Sequence, residues 1–145
     1  MNNMLFLIFY IIFLYFDIKK KFISRNLLLL YFVVGILINI INYKYINMDR
    51  IIDFGYSLIF GIVIFFISII SGESIGKGDG IYFIINSLYI SFKYNLMLFL
   101  VGIISAFIIS VVLVIIKNRN MYKKSLPFFP FLMPAIIMEV CGCIL

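Results

Sequence analysis

Six carboxylates, Asp17, Asp49, Asp53, Glu73, Asp79 and Glu139, are all the side-chain acids in a chain of 145 residues. Two carboxylates brought close cannot both ionise easily. One then holds a proton while the other keeps its charge, and such a pair activates water with neither a metal nor a covalent nucleophile. Asp17 and Asp79 are the candidates for that chemistry. Asp17 follows the apolar opening run, and Asp79 lies in SGESIGKGDG, Ser71 to Gly80, a polar interruption between two apolar segments. Other chemistries are excluded by what is missing. The chain has no histidine, which removes Ser-His-Asp and Cys-His hydrolases and His-ligated zinc sites. Cys141 and Cys143 are too few for a four-thiolate site and are not spaced as a C-x-x-C redox pair, so they read as small apolar fillers. A Ser-Lys hydrolase needs a lysine well inside an apolar segment, and nothing in the pattern favours one, since Lys77 lies in the polar interruption itself. The stretch GESIGKG has three residues between glycines where a phosphate loop needs four, and Gly78 where it needs Ser or Thr. No metal and no cofactor are expected.

The elements that position these acids are membrane helices. With 66% hydrophobic and 12% charged residues and a mean hydropathy of +1.23, the chain is too apolar for a soluble globule and too short for several domains. The expected fold is all-α, a polytopic integral membrane helical bundle forming a single domain over residues 1–145. About 20 apolar residues cross a hydrocarbon core roughly 30 Å thick, and six segments qualify: 1–16, 27–41, 51–70, 75–92, 96–116 and 127–145. The fourth carries Asn86, Ser87 and Ser91. The opening residues lack a basic start and a cleavage site, so the first segment is expected to be retained.

Basic residues accumulate in cytoplasmic loops. Lys19, Lys20, Lys21, Arg25, Lys77, Lys117, Arg119, Lys123 and Lys124 share one side of a six-span topology, against Lys44, Arg50 and Lys93 on the other. The SGESIGKGDG loop therefore belongs in the cytosol, with both termini outside. The net charge of +6 reads as a topology signal and an attraction to anionic lipid, with no nucleic-acid partner. Asp17 closes the first segment and Asp79 lies about one turn into the fourth, so both sit at the cytosolic end of the bundle. Asp49 and Asp53 fall at the opposite face, and Glu139 lies roughly 18 Å along the sixth helix from Pro127 at about 1.5 Å per residue. An acid at a membrane segment is costly and is a functional candidate for that reason. Each also has a plainer reading: Asp17 as a solvated carboxylate ahead of three lysines, Asp79 as an acid favoured by a helix N-terminus. Gly76, Gly78 and Gly80 around Asp79 let the backbone bend and approach neighbouring helices.

The segment GESIGKGD resembles the GxGD motif of the bacterial type IV prepilin peptidases, membrane aspartyl proteases, with Asp79 at the place of the second catalytic aspartate. FDIKKKFISRN, with Asp17 and then Ile23, is similar to the family's first catalytic aspartate and basic turn. LPFFPFLMPA, Leu126 to Ala135, resembles the Pro-Phe-x-Pro-Phe segment that opens the last helix. Ser24 and Arg25 stand where the family usually has Pro-Asn, and Ile81 where a lysine commonly follows the motif aspartate. The resemblance implies catalytic Asp17 and Asp79 and removal of a basic leader from type IV prepilins or pseudopilins on the cytosolic side of the cell membrane, usually after glycine. With no paired C-x-x-C region for methylation, the short, peptidase-only form is expected. An archaeal-type preflagellin peptidase shares the GxGD chemistry. A non-enzymatic transporter or assembly subunit could use the same acids for ion passage or helix pairing. Which acid is base, and the oligomeric state, stay open at this level.

Overall fold

The structure is a computed structural model that describes residues 2–20, 23–42, 47–70, 76–116 and 128–140. Among these residues there are six helices and no strand: α1 Asn2–Lys20, α2 Arg25–Ile41, α3 Met48–Ile70, α4 Lys77–Asn86, α5 Phe92–Ile116 and α6 Phe129–Val140. Glu73, Cys141, Cys143, Lys21, Lys44, the basic residues from Lys117 to Lys124, and Leu126 and Pro127 of the LPFFPFLMPA segment lie outside the described residues. Two helices, α3 and α5, are long and apolar enough to cross a membrane.

The first three helices each bury one narrow stripe. On α1 the stripe is Phe6, Phe9, Tyr10 and Phe13, spaced three and four apart as one helix face requires, and the next position on it is Asp17. On α2 it is Leu28, Tyr31, Gly35 and Ile38. On α3 it is Ser57, Gly61, Ile64 and Ser68, small at three of four positions, which lets a neighbouring backbone come close. That neighbour is α4, which packs against α3 on one side and α2 on another, while α6 lies against α5 and α1. The outward faces stay apolar, with Ile8, Leu29, Ile59 and Phe107 all about half exposed or more.

Apart from its N-terminal turn, the short helix α4 lies at the centre. Rings from all five other helices meet its Tyr82 and Phe83: Phe13 of α1 at 5.3 Å, Tyr31 of α2 at 5.9 Å, Phe60 of α3 at 6.4 Å, Phe99 of α5 at 5.4 Å and Phe129 of α6 at 4.7 Å, centroid to centroid. Most of these pairs are edge-to-face, the arrangement that the ring quadrupole favours.

The segment 75–92, expected to run as one membrane-length helix, does not. Its helix has ten residues, roughly 15 Å at about 1.5 Å per residue and half of a hydrocarbon core. The cause is polar. Asn86 is fully buried and accepts a hydrogen bond from the Tyr31 hydroxyl at 2.9 Å. Beyond it the chain turns, with Leu88 and Tyr89 amides bonded three residues back. Asp53 then offers both carboxylate oxygens to the Phe92 amide at 3.1 and 3.2 Å, which starts α5. Protein covers this turn, since Ser87, Tyr89 and Ile90 are all buried.

Candidate active site

Asp17 ends the buried stripe of α1 and is only 6% exposed. A buried carboxylate is costly unless it is hydrogen-bonded. The first turn of α6 supplies the bond, because the Phe129 amide donates to Asp17 Oδ2 at 2.9 Å. Amides at a helix N-terminus have no partner of their own, and the positive end of the helix dipole favours an anion there. The same residue is held from behind, where the Tyr10 hydroxyl donates to the Phe129 carbonyl at 2.9 Å.

Asp79 lies in the first turn of α4 and is half-buried. Gly76 caps that helix with no side chain of its own, and the space a side chain would take is used by Asp79. A Cβ on Gly76 would stand 2.9 Å from Asp79 Oδ2, so the carboxyl folds back over the cap. Acid at the third helical position reaching back to the cap is half of a capping box. Gly78 packs on Ile23, whose Cδ1 would lie 3.4 Å from an added Cβ. The segment after Asp17 therefore touches the glycine turn that carries Asp79. On its other side α4 presses on α3, where a Cβ on Gly80 would meet the Phe65 Cα at 2.8 Å.

The two acids feel one another. Burial raises the Asp79 carboxyl, the nearby charge of Asp17 raises it further, and the Gly76 amide opposes both, leaving it at about 7. Asp17 is also raised by burial, against which the Phe129 and Phe128 amides work. Both groups lie beyond the two membrane-length helices. An acid poised near neutrality beside an ionised partner can give a proton while its partner takes one.

Of the remaining acids, Asp53 is committed to the α5 N-terminus at the other end of α4, and Asp49 lies in the first turn of α3. Glu139 lies in the last turn of α6. Among the described residues no group of three or more His, Cys, Asp or Glu side chains could hold a metal ion. A cavity of about 380 Å³ lies away from the acid pair, between α2, α3 and the turn after α4, lined by residues that include Asn39, Arg50, Asp53 and Tyr89.

Sequence reasoning missed the residues that hold the pair. Tyr10 and Phe129 look like ordinary apolar-segment aromatics, and the only hint was that Tyr10 and Asp17 are seven apart on one helix face. It also missed the buried polar chain in which Asn95 donates to Ser57 Oγ at 2.9 Å and to the Phe83 carbonyl at 3.1 Å. Its hint was Asn86 within an apolar run.

Residues 4–115 match the sequence model of the type IV leader peptidase family. The matched region includes both acids and ends before α6. No curated protein and no solved structure matches the chain.

Proposed function

Because this chain belongs to the type IV leader peptidase family, we propose that it is a membrane aspartyl endopeptidase in which Asp17 and Asp79 activate water to remove the basic leader of type IV prepilins or pseudopilins. The observation that carries this reading is the pairing itself, in which a buried Asp17 raises an Asp79 held one turn into a neighbouring helix. Water placed between the carboxyls would lose a proton to one as its oxygen attacks the scissile carbonyl, which the other polarises. The helices form a polytopic bundle in the cell membrane with the acid pair at its end, outside the membrane-length helices α3 and α5, and the basic asymmetry supports a cytosolic position for that end. The substrate enters from that side, with its basic leader in water and its apolar helix alongside the exposed faces of the bundle.

The test is cleavage of a co-expressed or synthetic prepilin by single variants. Asp17→Asn and Asp79→Asn keep size and hydrogen-bonding shape but cannot exchange the proton. Each is expected to abolish cleavage while the protein still inserts at normal levels. Asp53→Asn, which keeps a capping side chain at α5, is expected to retain activity. An Asp79→Asn variant cutting at the wild-type rate would end the aspartyl reading.

A further inference from the structure

Tyr10 and Asp17 lie two turns apart on the buried face of α1, and both grip the first residue of α6. The Tyr10 hydroxyl holds the Phe129 carbonyl and the Asp17 carboxylate holds the Phe129 amide, each at 2.9 Å. The Phe128 amide also acts on Asp17. Amides can only donate, so they favour the carboxylate over the acid, and the dipole of a 12-residue helix adds to that preference. Asp79 is served by one opposing amide, that of Gly76, at the start of a shorter helix. Resting on the aspartyl peptidase reading, we propose that Asp17 is the ionised base of the pair, that Asp79 carries its proton and is the acid, and that Tyr10 is a positioning residue that fixes the first turn of α6 on Asp17.

The step then balances. Asp17 takes a proton from water as the water oxygen bonds to the scissile carbonyl carbon, and Asp79 gives its proton to the carbonyl oxygen, forming a gem-diol. On collapse Asp17 passes the proton it gained to the amide nitrogen as the C–N bond breaks. Asp79 recovers a proton from one gem-diol hydroxyl, leaving a carboxylic acid, an amine and the starting dyad. The titratable and charged groups around the pair fit this division. From α1 come Tyr10, buried, and Lys19 and Lys20, turned onto the Tyr15 and Phe16 rings. From α4 come Tyr82 and Lys77, with Tyr82 within electrostatic range of Asp79. From α6 the two backbone amides face Asp17. The position of Asp79 near 7, raised in part by the charge on Asp17, agrees with the same order of titration.

The experiment follows the infrared carbonyl band of protonated carboxyl groups in the purified full chain, in lipid nanodiscs, as pH is raised. The wild type is expected to lose a band with a midpoint near 7, and Asp79→Asn to lack it. Asp17→Asn is expected to keep the band with its midpoint moved down, because the neighbouring charge is gone. Tyr10→Phe loosens the Phe129 amide on Asp17 and should raise the acid limb of the kcat/KM profile, by up to about one pH unit where that amide's bond to the charged carboxylate is lost, and leave the alkaline limb in place. A band that survives Asp79→Asn and disappears in Asp17→Asn would put the proton on Asp17 and overturn the assignment. An even loss of rate at every pH in Tyr10→Phe would overturn its positioning role. The expected band behaviour in a protein that cuts no leader would uphold the proton assignment and remove the peptidase reading.

Discussion

Replacing Gly80 by alanine would put a methyl group 2.8 Å from the Phe65 Cα and 3.2 Å from its Cβ and Cδ2. Carbon atoms pack at about 3.5–4.0 Å, and the nearest obstacle is backbone, which cannot rotate aside. The gap between α3 and α4 must therefore open by roughly 0.7–1.2 Å. Overpacking of this kind costs about 1–3 kcal/mol, offset by up to about 1 kcal/mol from the better helix propensity of alanine. The larger effect falls on chemistry, because Asp79 is the next residue and moves with the helix away from Asp17. A misplacement of about 1 Å can cost on the order of 100-fold in rate. Gly61→Ala applies the same wedge farther down α4, with its Cβ 2.7 Å from the Ile84 Cα and amide nitrogen, and should lower both stability and rate. Gly55→Ala on the same helix meets nothing within 4 Å and should do neither. The assay is kcat/KM on a leader peptide, with thermal melting in detergent as a readout independent of activity. Gly80→Ala protein with the wild-type melting temperature and rate would show that the α3–α4 contact does not set the position of Asp79.

Asp79→Asn is expected to change stability as well as activity. A carboxyl raised to about 7 in the folded chain contributes most below the ordinary unfolded value near 4 and loses that contribution as pH rises toward 7. The gap sets a ceiling of roughly 4 kcal/mol, so the variant should melt higher than wild type at pH 8 and close to it at pH 4; an unchanged difference between the two pH values would refute the coupling. The orientation is tested by single cysteines in a cysteine-free background: Ser24, Ser74 and Ser125 should resist an impermeant thiol reagent in intact cells while Asn47 reacts. Labelling of Ser74 from outside would put the acids on the wrong face for a cytosolic leader.

The helical class was legible because the apolar runs are long and unalternating, and so was the shared end of Asp17 and Asp79, which needs only counting along two helices. The length of α4 was not. Hydropathy averages over Asn86, Ser87 and Ser91, while the fold uses Asn86 to bond Tyr31 and ends the helix there. Asp53 was placed at the far end correctly, but its bond to the Phe92 amide joins residues 39 apart in sequence, and no local pattern announces it. The grip of α1 on α6 is longer still, with Asp17 and Phe129 separated by 112 positions. Charge and period locate an acid along its own helix. They do not say which other helix end will meet it.

These unannounced contacts share a purpose in the architecture of α4. Its C-terminal end is tied by polar bonds, from Tyr31 of α2 to Asn86 and from Asn95 of α5 to the Phe83 carbonyl. Its flank is set by direct backbone approach at Gly61 and Gly80. Its aromatic face is locked among Phe13, Tyr31 and Phe129. A ten-residue helix held in these three ways has little freedom left to tilt, and Asp79 is carried on the turn beyond the polar ties. Asp17 is fixed differently, by the end of a helix that Tyr10 also holds. The two carboxyls thus sit on separately anchored elements, and their distance is a property of the whole bundle. Two close carboxyls share a site most easily when one of them holds a proton, and rigid helices on both sides are what keep the acids together when ionisation of the second would push them apart.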